Sequence, residues 1–247
     1  MKILLCAVRA GLTALCLFAA VAHASVVVSS TRVVFPAQEG EVTVRLSNEG
    51  NRPSLVEAWI DSGDVNSTPD KANTPFLITP PLFRMEANKD QNLRILATPA
   101  QLPGDRESLF WLNVLEIPSK PTTAETQGKN ILQFAIRSRL KLFYRPAHLP
   151  GDPLTAPNQL IWKAIPDGAG YALEVNNPTP YHITFNDVSL DVGGKHYAIE
   201  ASMVAPLGSL RLTFKGLLQA PSIGTPVVYD TVNDYGAPAA FKGSIAP

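Results

Sequence analysis

The sequence predicts an all-β protein built of two sandwich domains behind a cleaved leader. Short runs that alternate apolar and polar residues recur along the chain: Glu41 to Asn48, Leu55 to Ile60, Gln91 to Ala97, Ser108 to Ile117, Ile131 to Tyr144, Tyr171 to Val175, His182 to Val188 and Leu210 to Phe214. Such a period of two belongs to strands with one buried and one wet face. Turn-rich pieces separate them, among them Asn51-Arg52-Pro53, Pro103-Gly104-Asp105 and Val192-Gly193-Gly194, the punctuation of antiparallel sandwiches. No segment after residue 24 sustains the 3.6-residue period of a helix.

Residues 1 to 24 have the anatomy of a secretory signal, with Lys2 and Arg9 near the start, an apolar run from Gly11 to Val21, and Ala22-His23-Ala24 as the cleavage site. The apolar run is shorter than the ~20 residues a spanning helix needs. A soluble exported chain beginning at Ser25 is therefore expected, with no stable membrane insertion. Both cysteines, Cys6 and Cys16, fall inside the leader, which leaves the mature chain without a disulfide. The formal net charge of the full chain is 0, and losing Lys2 and Arg9 tips it slightly acidic, so no nucleic-acid partner is expected. Four prolines and Gly151 interrupt the strand pattern between Arg145 and Pro157. The expected domains are thus residues 25–147 and 148–247.

The most informative stretch is Ile131 to Pro146. It places Leu132, Phe134 and Ile136 on one parity and Gln133, Arg137, Arg139 and Lys141 on the other, so a strand from Ile131 to Tyr144 would carry an oily face and a basic face. It follows the polar loop Ser119 to Asn130, and part of it is expected to protrude as an edge suited to pairing with another chain. On the residues alone, the three apolar side chains fit this domain's own core equally well.

Signals for catalysis are poor. His148, His182 and His196 have no neighbours at metal-ligand spacing, and neither G-x-S-x-G nor H-E-x-x-H occurs. Gly168-Ala169-Gly170 lacks the third glycine of a dinucleotide fingerprint and reads as a hairpin turn. Asp61, Asp64 and Asp70 do not have the spacing of a calcium loop and read as solvated loop carboxylates. Asn66-Ser67-Thr68 matches a glycosylation sequon of low specificity. No catalytic residue, metal or cofactor is expected.

Four ordered blocks carry a resemblance: Arg106-Glu107-Ser108-Leu109-Phe110-Trp111-Leu112-Asn113, Lys141-Leu142-Phe143-Tyr144-Arg145-Pro146, Asn177-Pro178-Thr179-Pro180-Tyr181 and Asn233-Asp234-Tyr235-Gly236. Together they resemble the motifs of the PapD-like periplasmic chaperones that assemble pili by the chaperone-usher pathway. The likeness runs from Thr31-Arg32 to Gly236. It implies two immunoglobulin-like sandwiches arranged as a boomerang around a cleft, in the periplasm, with pilus subunits and an outer-membrane usher as partners. In that family the last strand of the first domain is lent to a subunit whose own sandwich lacks a strand. The resemblance further implies that Leu132, Phe134 and Ile136 fill the subunit's groove and that Arg32 and Lys141 anchor its terminal carboxylate. Glu107, Arg145 and Asp234 would link the two domains. The moderate loop Ser119 to Asn130 resembles the short-loop branch that builds rod-like pili, and the second domain departs from some relatives in lacking a cysteine pair. The competing readings are a structural pilus subunit or adhesin, and a secreted enzyme on a sandwich scaffold. Lys141 differs in parity from the three apolar residues, so it should face the other way unless a bulge or strong twist intervenes.

Overall fold

The computed structural model describes residues 25–121 and 130–247. The expected leader with its two cysteines, and most of the loop Ser119 to Asn130, lie outside the described residues. Nine strands build a first sandwich: β1 Val26–Val28, β2 Arg32–Pro36, β3 Glu41–Asn48, β4 Ser54–Asp61, β5 Phe76–Thr79, β6 Leu82–Met85, β7 Asp90–Ala97, β8 Ser108–Pro118 and β9 Ile136–Arg145. Seven build a second: β10 Ile161–Asp167, β11 Gly170–Asn176, β12 Ile183–Val192, β13 Lys195–Val204, β14 Ser209–Thr213, β15 Pro226–Val232 and β16 Pro238–Ser244. In the first, a sheet ordered β1-β3-β7-β5 packs on one ordered β2-β9-β8-β4-β6; in the second, β10-β11-β14 packs on β13-β12-β15-β16.

Alternation places the cores. Phe35, Leu46, Leu93, Ile95, Leu112 and Leu142 are fully buried between the first pair of sheets, and Trp162, Leu173, Phe185, Leu212 and Tyr229 between the second. Each such side chain contributes roughly 1.5–3 kcal/mol by leaving water. Turn chemistry matches the sequence: Val192 pairs with Lys195 across Gly193 and Gly194, whose φ values of 59° and 76° suit the type I′ hairpin that ordinary residues resist. Gly168 and Ala169 form the β10–β11 turn, with Asp167 paired to Gly170.

Two features of β9 position the site. The N-terminal segment changes sheets: β1 pairs with β3 in one sheet, then β2 pairs in parallel with β9 in the other, over Lys141 to Arg145 only. Upstream of Lys141, β9 is paired on one side alone among the described residues, by β8, which leaves its other edge open. The strand is also shorter than expected. It begins at Ile136, opposite Glu116, because the next partners on β8 run into Pro118, which ends that strand and has no N–H for the ladder. Leu132 and Phe134 therefore lie ahead of the strand rather than within it.

The β11–β12 turn of the second sandwich, which packs on the segment joining the sandwiches, is organised by Asn177, which is fully buried. Its amide donates to the carbonyls of Tyr181 (2.8 Å) and Ala205 (3.0 Å), and its oxygen accepts from the Thr179 N–H and hydroxyl. Tyr181 in turn donates its hydroxyl toward the carbonyls of Leu149 and Gly151. The Asn-Pro-Thr-Pro-Tyr block is thus a polar knot that satisfies a buried, proline-rich turn. Asn177→Ala strips four groups of their partner at once; we expect a loss of roughly 2–4 kcal/mol, read as a lower urea midpoint.

Candidate functional site

The parallel register of β2 on β9 sets Arg32 directly beside Lys141. Strand pleating turns Lys141, Phe143 and Arg145 away from the core that holds Leu140 and Leu142, toward the second sandwich. Lys141 Nζ lies 3.1 Å from Thr184 Oγ1, and Arg32 Nη1 donates to the carbonyl of Val232 at 2.8 Å. Both partners belong to the second sandwich, so the two cations sit at the junction. Arg32 Nε is buried with no hydrogen-bond partner. Burial, reinforced by repulsion from Arg32, pulls the Lys141 ammonium down to about 8 from its ordinary 10.5. Burial likewise lowers Arg32, against the attraction of Asp234 and Glu107. Two partly desolvated cations stand side by side, and among the described residues no carboxylate bonds directly to either.

A different set of charges clamps the sandwiches together. Arg145 grips both oxygens of Asp234 (2.7 and 3.0 Å) and donates Nε to Glu107 Oε1 at 2.7 Å. Although burial opposes its charge, hydrogen bonding and attraction from Asp234 and Glu107 prevail and hold the guanidinium firmly protonated. Glu107, almost wholly buried, also accepts from the backbone N–H of His182 at 2.7 Å and meets its Nδ1 at 3.1 Å. The sequence reading found no role for His182; here it is a fourth member of the junction, tilted against Phe143 at 5.3 Å. The Asn-Asp-Tyr-Gly block is the turn that presents Asp234. Asn233 Oδ1 accepts the N–H groups of Tyr235 and Ala237, while Gly236 takes a φ of 80° and presses on Thr31, where a Cβ would meet Oγ1 at 2.3 Å.

Leu132, Phe134 and Ile136 are 75, 66 and 45 % exposed. Ile136 shares parity with Leu140 and Leu142 and so extends the core-facing side of β9 past the end of the core, while Leu132 and Phe134 lie in the sequence just ahead of the strand. The cations occupy the opposite face, and the register of β9 is continuous against both neighbours, so the parity difference needs no bulge. One expectation is corrected. Asp61 is not a solvated loop carboxylate: it ends β4 and is 2 % exposed. Burial alone would raise its pKa, but hydrogen bonds from Arg139, Asn113 and the Gly63 N–H outweigh that and hold it below the usual range. Arg139 stacks over Trp111 at 4.1 Å and Arg137 over Trp59 at 4.9 Å, which occupies the basic face of β9 with internal partners. Ser67 of the sequon is also buried, accepting from Trp59 Nε1 at 3.0 Å. Among the described residues, no three His, Cys, Asp or Glu side chains gather to hold a metal.

Residues 25–150 match the family model "Pili and flagellar-assembly chaperone, PapD N-terminal domain", and residues 155–241 match "Pili assembly chaperone PapD, C-terminal domain". The chain is 43% identical over 240 residues to the chaperone protein FimB/FhaD of Bordetella pertussis, covering 96% of this chain and 94% of that one. It is 40% identical to the probable fimbrial chaperone YadV of Escherichia coli, covering 94% and 96% of the two chains. The crystal structure of YadV superposes with a TM-score of 0.74 over 90% of this chain and 100% of that one. A chain from the Salmonella enterica SafA pilin complex with the SafB chaperone, 30% identical, gives 0.73 over 92% of this chain and 99% of that one. These relatives are chaperones rather than structural subunits. With both halves matched in order and the junction motifs built as above, the chain belongs to the PapD-like family of pilus-assembly chaperones.

Proposed function

We propose that this chaperone lends the open edge of β9 to a pilus subunit whose sandwich lacks a strand, and anchors that subunit's terminal carboxylate between Arg32 and Lys141. The carrying observation is the adjacent pair of partly desolvated cations, Arg32 on β2 and Lys141 on β9, with no carboxylate bonded to either among the described residues, beside the open upstream edge of β9. A carboxylate entering there would gain charge-assisted hydrogen bonds from an arginine fork and a compact ammonium. Backbone pairing along Ile136 to Leu140 is tolerant of sequence, while Leu132, Phe134 and Ile136 fill apolar pockets in the groove. Arg145, with Glu107 and Asp234, fixes how the second sandwich closes the cleft. In this reading the leader of residues 1–24 is removed on export, and domains of residues 25–147 and 148–247 work in the periplasm. The protein binds and transfers without catalysis, handing its subunits to an outer-membrane usher. Among the described residues no helix is long and apolar enough to cross a membrane.

Because Phe134 is exposed in the free protein, Phe134→Glu should leave the melting temperature within about 1 °C of the parent. It should abolish recovery of a one-to-one complex with subunit from periplasmic extracts, since a carboxylate cannot enter an apolar groove cheaply. A collapsed melt would return these residues to the core.

For the anchor, stability and function should move in opposite directions. The lowered Lys141 value means the folded state releases its proton near pH 8, whereas the unfolded chain keeps it to about 10.5. The free protein therefore gains stability as pH rises between those values, and below pH 8 it carries the whole burial penalty. Lys141→Met should stabilise the free protein at pH 7 by on the order of 1 kcal/mol, discounted for water reaching the cleft, while eliminating subunit capture. Arg32→Ala should stay folded and lose capture too. Subunit affinity, measured by titration calorimetry, should fall as pH rises through about 8.

Arg145→Ala leaves Glu107 and Asp234 without their cation and should cost about 3–5 kcal/mol. Thermal denaturation would register the loss, and small-angle scattering should report a broadened interdomain geometry. An unchanged melt with an unchanged scattering profile would remove the clamp from the scheme.

A further inference from the structure

Glu116 is a buried carboxylate that the chaperone mechanism does not use. It lies on β8, 6 % exposed, facing the start of β1. Oε2 accepts the Val26 N–H at 3.1 Å and Oε1 accepts the Ser54 hydroxyl at 3.0 Å. Ser25 Oγ lies 3.4 Å from the same Ser54 hydroxyl. Both recorded donors are neutral, and no ion pair to Glu116 is found among the described residues. A carboxylate sequestered with only neutral donors is costly, and buried carboxylates ordinarily have a cation beside them.

The missing cation has a source in the chain itself. Signal removal after Ala24 would convert the Ser25 peptide nitrogen into an α-ammonium. That nitrogen is one residue from the Val26 N–H already bonded to Glu116, so chain geometry confines it to within roughly 7 Å of the carboxylate. Ser25 is itself fixed: its carbonyl accepts the Glu49 N–H at 2.7 Å, and its Cβ packs where a side chain on Gly50 would begin, 2.6 Å from a Cβ built there. The hollow beside it is lined by Ser25, Glu49, Gly50, Arg52, Ser54 and Gln133. It offers room for an ammonium but is also lined by a second anion, Glu49, as a rival partner, and by one cation, Arg52.

We propose that Glu116 is a built receptor for the α-ammonium created at Ser25 by export processing, so that maturation itself completes the first sandwich. The charge pair ties β1 to β8 across the two sheets, at the edge where the N-terminal segment crosses over and leaves β9 open. The uncut precursor, whose nitrogen there is a neutral amide, lacks this tie. The inference rests on the processing site assigned above.

The test is a two-by-two stability cycle. Protein released in vitro with Ser25 at its N-terminus is compared with the same protein preceded by His23-Ala24, each in parent and Glu116→Gln backgrounds. In the parent background the two-residue extension should lower the melting temperature by roughly 2–4 °C, the shift of about 1 kcal/mol in a chain this size. In the Glu116→Gln background it should lower it by nothing. Glu49→Gln should leave the difference intact. NMR titration of the Ser25 α-amino group should place its pKa above the ordinary ~7.7–8.0, and Glu116→Gln should return it there. An equal penalty for the extension in both backgrounds, or an unshifted α-amino group, overturns the proposal; a difference abolished by Glu49→Gln instead overturns it in favour of that residue. Intact-mass analysis of exported protein separately decides the processing site. A different start there would withdraw the link to maturation, while the cycle on protein released at Ser25 still decides the pair.

Discussion

One guanidinium fixes the geometry on which the rest of this chaperone depends. Arg145 ends β9, the strand that also carries Lys141 and the open edge, and it reaches across to Asp234 while sharing Glu107 with His182. Any rotation of the second sandwich must break a bidentate ion pair in a largely dry junction. Buried ion pairs seldom add much net stability, because desolvation offsets most of their attraction. Their directionality is the useful property here, since an apolar contact would allow sliding that a fork on a carboxylate does not. Lys141 and the ion pair of Arg145 with Asp234 are thus carried by a single strand.

The same strand runs against the usual management of sheet edges. An unpaired, apolar edge invites aggregation, and proteins ordinarily cover or charge it. Here the N-terminal segment covers only the downstream half of β9 after crossing from the other sheet. The charges of Arg137 and Arg139 lie on the opposite face, engaged with Asn113, Asp61 and the two tryptophans. The exposed apolar side chains are therefore concentrated on one short edge, bordered by internally satisfied surface. That arrangement limits how a second chain can approach.

Much of this was legible in the sequence, and the failures have physical causes. Strands β3, β7 and β14 announce themselves by alternation because each has one wet face, whereas β4, β8 and β11 were legible from their apolar, β-branched and aromatic residues although both of their faces are largely covered. β1 is only three residues long, β16 is an edge strand whose residues apart from Phe241 have little β-propensity, and β15 begins with a proline; none has the pattern. The upstream limit of β9 was misjudged because alternation continues through Leu132 and Phe134 while the ladder stops at Pro118, on a different strand. The resemblance supplied Arg32 with Lys141, and Arg145 with its two carboxylates, yet no local signal reveals a parallel pairing between segments so far apart. His182 and Asp61 were missed for a related reason. His182 is engaged partly through its backbone, which has no side-chain signature, and Asp61 looks like its loop neighbours until Arg139 arrives from β9.

The continuous register of β9 has a consequence for how such a strand can vary. Apolar side chains on its even positions and cations on its odd ones belong to opposite faces, and each residue advances the strand by about 3.3 Å. The stretch from Ile136 to Lys141 therefore behaves as a ruler between two fixed marks. Inserting or deleting one residue within it would turn every mark downstream or upstream to the wrong face. Length changes there are tolerable only in pairs, each pair displacing the marks by nearly 7 Å, so this interval should drift in composition far more freely than in length.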